Sequence, residues 1–144
     1  MTSRAKQVKE VQKKIEVLMT NKEIKFEGGS WDINKMPENK AVMEDLATIL
    51  KENPHMSINV HGVQIGVTEH SQSGEPFKDG VTKKTFAECF PNDPDPFAEK
   101  RTDALARTRA VASVHALKNM GCKNVMTVSS ENGEERKIVF SVNK

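Results

Sequence analysis

Along the first twenty residues apolar positions recur at three- and four-residue steps: Val8, Val11, Ile15, Leu18 and Met19, separated by lysines and glutamates. That period lines one face of a helix and predicts one over residues 4–20. The stripe is short for a helix standing alone, so it reads as an amphipathic helix packed on the domain, the alternative being a partner-binding or coiled-coil segment. "EIKFEG" then puts Ile24 and Phe26 on one side of a short strand, stopped by Gly28 and Gly29. After the turn region "GGSWDINKMPEN", helical spacing returns at Val42, Leu46, Ile49 and Leu50, predicting a second helix over about 37–52 with Pro37 in its first turn. "SINVHGVQIGV" is the strongest strand in the chain. Its apolar alternation changes phase at Gly62, which predicts a bulge or bend there.

Residues 70–101 break the pattern with a run rich in Pro, Gly, Asp and Lys, too long for an ordinary connection and so read as an excursion. In "LARTRAVASVHALKNMG", Ala106, Ala110, Val114 and Leu117 share one helical face, with Val111 beside it; Thr102 or Asp103 would cap this helix and Gly121 end it. "NVMTVSS" and "RKIVFSV" read as closing strands, and Asn132-Gly133 between them is a hairpin signal. Helices interleaved with a few strands imply a two-layer α/β (α+β) sandwich. Residues 1–21 form an N-terminal helix leading into one domain over 22–144, with the insertion at about 70–101.

The chain has 144 residues, enough to bury a real core, with 36% hydrophobic and 29% charged residues and a net charge of +2. That balance argues against a disordered polyelectrolyte and against nucleic acid as a partner. No run approaches the roughly 18 apolar residues of a membrane span. The N-terminus has no hydrophobic signal core, so the chain reads either as cytoplasmic or as a form whose export signal has been removed. Cys89 and Cys122 do not make a disulfide scaffold and read as two buried free thiols, with one bridge as the alternative.

Catalytic chemistry finds little to use. His55, His61, His70 and His115 make no metal spacing, no glycine loop cradles a phosphate, and no serine sits in a nucleophile elbow. The expectation is a protein that is not an enzyme and needs no metal or cofactor. Two residues stand out. Arg109 lies beside the core-facing stripe of its helix, in the N-terminal half, where backbone N–H groups and the helix dipole favour an anion. It is either a side chain covering apolar surface or a guanidinium that grips a carboxylate through paired hydrogen bonds. Glu69 follows the end of the central strand, a usual place for a binding residue, and is otherwise a solvated loop carboxylate.

Taken together, Ile24, Phe26, Ser30, Ile33, Leu46, Leu50, Pro54, Ile58, Val60 and Gly62 resemble, in that order, the first half of the OmpA-like domain shared by flagellar stator proteins and peptidoglycan-associated lipoproteins. Its helix pattern, L-S-x-x-R-A-x-x-V-x-x-x-L-x-x-x-G, is similar to Leu105, Ala106, Arg109, Ala110, Val114 (one place late), Leu117 and Gly121. "ERKIVFSV" resembles the family's closing strand, and the likeness covers roughly residues 12–69 and 102–142.

The resemblance implies a βαβαββ-like sandwich that binds the peptidoglycan stem peptide without catalysis, placing the chain in the periplasm or cell envelope. One carboxylate would pair with the ligand's ammonium and the helix arginine would take its carboxylate, so that a diamino acid is read at both ends. Arg109 matches that arginine. The family's G-H-T-D is absent here: aligned without a gap the aspartate position is Ile65, whereas a strand four residues longer puts "GVTE" there and makes Glu69 the carboxylate, with Thr68 beside it. Thr102 falls at the family's asparagine and Ala106 at its serine. A rival reading keeps the fold, drops the pocket, and gives the 70–101 insertion a protein partner through Phe77, Phe86, Phe90 and Phe97. Those four residues equally suit a small satellite core.

Overall fold

The N-terminal stripe forms α1, Arg4–Asn21, in the computed structural model of the protein, which describes residues 3–66 and 76–143. The Ser3 side chain accepts from the Lys6 N–H and caps the helix, which buries Val8, Val11 and Ile15 against the domain. There follow α2 (Glu38–Glu52), β1 (Ile58–Ile65), a single turn α3 (Phe86–Cys89), α4 (Ala104–Asn119), β2 (Met126–Gly133) and β3 (Lys137–Val142). The result is the two-layer α+β arrangement: a mixed three-stranded sheet with helices on one face. Among the described residues no helix is long and apolar enough to cross a membrane.

The sheet runs β2-β1-β3, with β1 parallel to β2 and antiparallel to β3. Local expectations change at three places, two of them within the sheet. Asn132-Gly133 does not turn a hairpin, because both residues still lie in β2, opposite Gln64 and Ile65, and β1 separates β2 from β3. Nor is there a bulge at Gly62, since both ladders pass it one residue for one. The glycine answers to a close approach instead. A Cβ there would lie 2.1 Å from the Ala106 carbonyl oxygen of α4. Val63, on the opposite face, is buried without any change of register.

The expected strand at residues 23–27 joins no ladder. Its backbone is bonded by a side chain: the buried Asn39 carboxamide accepts from the Lys25 N–H (2.9 Å) and donates to the Lys25 carbonyl (2.7 Å) and the Ile33 carbonyl (2.9 Å). Local alternation cannot reveal such a rival for backbone bonds.

Two hydrophobic clusters meet at α4. The larger gathers Val11, Ile15, Val42, Leu46, Leu50, Ile58, Val60, Phe140 and, from α4, Ala110, Val114 and Leu117. The second joins Trp31, Phe86, Phe90 and Phe97 to Ala104, Val111 and Ala112 on another side of the same helix. Phe77 stacks on Phe97 at 4.9 Å, and Trp31 lies 6.0 Å from both rings. The phenylalanines of the insertion are therefore a satellite core. A helix covered on two sides shows no single apolar face, which explains the run of small residues in α4.

Candidate functional site

Arg109 projects from the second turn of α4 and is only 7% exposed. Its Nε donates to the Ser30 carbonyl at 2.8 Å and its Nη2 to the Glu27 carbonyl at 3.1 Å, while the guanidinium carbon lies 5.1 Å from the centre of the Phe26 ring. Burial lowers its pKa to about 10, with the like charge of Arg136 adding to the shift and Asp79 opposing it. The side chain therefore stays charged at neutral pH. Among the described residues no carboxylate forms an ion pair with it, and Nη1 makes no hydrogen bond to them. A desolvated cation bonded to two carbonyls and a ring face, without an anion, is an expensive arrangement.

The carbonyls that hold Arg109 belong to a loop fixed by the insertion. Asp79 is fully buried. Its Oδ1 accepts from the Ser30 hydroxyl and the Trp31 N–H, both at 2.7 Å, and its Oδ2 accepts from the Val81 N–H, the Thr82 N–H and the Thr82 hydroxyl. Burial pushes this carboxyl up, but the bonds from Ser30, Thr82, Trp31 and Val81 outweigh it and hold the pKa below the ordinary value. Donors from two segments, residues 30–31 and 81–82, converge on one carboxylate, so Asp79 joins the insertion to the Arg109 loop.

A recess of about 300 Å³ opens beside Arg109, lined also by Lys25, Phe26, Val63, Arg136, Lys137 and Glu23. Four of these side chains are cationic and one is acidic, so the recess suits an anion. A second recess of about 300 Å³ shares Glu23, Ile24, Arg136, Lys137 and Ile138 with the first and continues between α1 and β3 as far as Gln12 and Phe140.

The other expected site residues fall elsewhere. Thr102 is exposed just before α4; its hydroxyl accepts from the Asn132 amide at 3.0 Å and its carbonyl from Gln64 Nε2 at 3.2 Å. It does not line the Arg109 recess. Glu69 and Thr68 lie outside the described residues. The start of α4 is not an open anion site, because the buried Gln64 Oε1 accepts from the Ala106 N–H at 2.8 Å. Asp103 stands at the N-cap without a side-chain capping bond, and its carboxylate binds Arg101 and the Ser130 hydroxyl instead.

Arg136, Asp79 and Gln64 are the residues that sequence reasoning missed. Arg136 opens the expected strand "RKIVFSV" without any mark of a ligand role, and Asp79-Gly80 lies in the Pro, Gly, Asp and Lys-rich excursion. Gln64 reads as one polar position in a strand. On the sheet face away from the helices, Ser129 Oγ lies 2.7 Å from His61 Nδ1 and 2.9 Å from Asn59 Nδ2, with Glu131 3.2 Å from His61 Nε2. These are cross-strand neighbours satisfying one another. Both cysteines are free, Cys122 buried as expected but Cys89 only half-buried, and no group of three or more metal-ligating side chains forms among the described residues. Compared with known protein families, curated proteins and solved structures, the chain gives no match.

Proposed function

We propose that this chain is a noncatalytic binding domain that recognises the diamino acid of a peptidoglycan stem peptide and anchors its carrier to the cell wall in the periplasm or envelope. The observation that carries the reading is Arg109: a buried, charged guanidinium without a carboxylate partner among the described residues, lining a cationic recess. A ligand carboxylate supplies the missing anion, and its bonds to a preorganised guanidinium are strengthened by the low local dielectric. The likeness of the Arg109 helix to that of OmpA-like domains supports the choice of ligand. In the same reading Glu69 takes the ligand's ammonium, with Thr68 and Thr102 nearby. The rival, a scaffold whose insertion binds a protein, loses its proposed phenylalanine contacts, since Phe86, Phe90 and Phe97 are buried.

The test is calorimetric titration with a diaminopimelate-containing muropeptide, wild type beside Arg109→Met and Glu69→Gln. Binding lost in the Arg109 variant and weakened in the Glu69 variant is the expected result. A folded wild type that does not bind the muropeptide would end this reading.

A further inference from the structure

Resting on the reading of Arg109 as a carboxylate site, we infer that the outer edge of β3 reads the main chain of the ligand. An extended peptide lies along that edge with its carboxylate between Arg109 and Arg136. β3 ends the sheet, and no described residue pairs with its outer side as a strand. The direction of its backbone groups follows from two bonds. The Val142 N–H turns outward and donates to Gln12 Oε1 at 2.7 Å, whereas the Asn143 N–H turns inward to the Ser57 carbonyl at 2.8 Å. Alternation along a strand then turns the N–H and C=O of Phe140 and Ile138 outward with Val142. These four groups have no partner among the described residues. They border the two joined recesses, which run from Gln12 to Arg109.

An extended peptide is the occupant this geometry fits: the γ-glutamyl linkage interrupts the strand repeat, so the amide next to the diaminopimelate carboxylate is the group that bonds the open edge. The charges say which end goes where. Arg109, Arg136, Lys25 and Lys137 cluster at the end of the groove where β3 begins, so a carboxylate belongs there. The opposite end, where Gln12 meets Val142, is lined by Gln12 and Phe140, and among the described residues no cation lines it. Residues 23–26 form no ladder with this edge, and the Asn39 carboxamide takes both the N–H and the C=O of Lys25.

The experiment changes the ligand rather than the protein, which keeps folding out of the result. Free diaminopimelate, the tripeptide L-alanyl-γ-D-glutamyl-diaminopimelate and the tripeptide methylated at its last amide nitrogen are titrated into the full chain. Amide hydrogen exchange of Ile138 and Phe140 is followed alongside. One or two added backbone bonds predict that the tripeptide binds about tenfold tighter than the free amino acid. Methylation should erase that gain, and the Ile138 and Phe140 amides should exchange more slowly with tripeptide bound. Equal binding of all three ligands, or unchanged exchange, overturns the edge reading while leaving the Arg109 carboxylate site standing. No binding by any of them overturns both. Protection that follows protein concentration rather than ligand would assign the edge to a second copy of the chain and also overturn the inference.

Discussion

The two hydrophobic clusters flanking α4 are built by different means. The larger joins α1, α2 and the sheet, and its residues come from regular elements whose side chains repeat at helical or strand period. The smaller takes most of its rings from the irregular segments around α3, and polar bonds at Asp79 and Asp103 fix the loops that bring them together. Periodic elements bury apolar faces almost by construction, whereas an irregular segment must first satisfy its backbone. The second core is accordingly the place where single polar residues decide structure. Arg109 is tied to both: its carbonyl partners sit on the loop that Asp79 fixes, while Ile24, Phe26 and Ile138 around its recess go with the larger cluster.

Removing a ring from the smaller core should have the largest effect. Phe86→Ala deletes a side chain only 1% exposed and should cost about 4 kcal/mol in urea unfolding. Because α4 is common to both clusters, the loss should appear in one shared transition. A separate early transition would make the insertion an independent unit. Gly62→Ala tests the joint between helix and sheet: the added methyl meets backbone 2.1 Å away, and the strain should cost about 3 kcal/mol. Asp79→Asn keeps the shape but replaces one acceptor oxygen with a donor facing the Val81 and Thr82 N–H groups, at a cost of about 2 kcal/mol. Indole fluorescence and far-ultraviolet circular dichroism should still report one shared transition, shifted to lower urea.

Acid should act on the same region. Asp79 and Asp103 both have lowered pKa values in the fold. In each case burial opposes the shift and hydrogen bonds overcome it: those from Ser30 and the Asp79 turn, and those from Arg101 and Ser130. The unfolded chain binds protons first as pH falls, so the contribution of these carboxylates is full above about pH 4 and fades as pH drops through their folded values. Thermal melts at pH 6 and pH 3 should separate wild type from Asp79→Asn at the higher pH and bring them closer at the lower. The smallest stability change belongs to Arg109→Met. It removes two carbonyl bonds but also a desolvated charge, so stability should stay within about 1 kcal/mol of wild type.

Legibility in the sequence follows the same division. Val8, Val11 and Ile15, Val42 and Leu46, and Ile58 and Val60 declare the elements of the larger core by period, and α1, α2 and β1 form where that period predicts. The two-layer class was readable for that reason. Residues 23–27 have strand alternation too, but the Asn39 side chain competes for the backbone, a contact 14 residues away that no local pattern contains. Asn132-Gly133 carries the composition of a hairpin, yet β1 takes the place between the two strands. Of the site, Arg109 was visible as a cation beside an apolar helical stripe. Arg136 reaches the recess only because β3 begins next to it. Asp79 matters through donors about fifty residues away in sequence as well as those in its own turn, and turn composition alone does not predict that.

The central claim is that the Arg109 guanidinium grips a ligand carboxylate. The most direct measurement is the nuclear magnetic resonance signal of its side-chain Nε–H, assigned by its absence in Arg109→Met, during titration with the diaminopimelate-containing muropeptide. The account predicts that this signal shifts and saturates along the same binding curve as the Arg136 backbone amide. A muropeptide that binds while the Arg109 signal stays unmoved would contradict it.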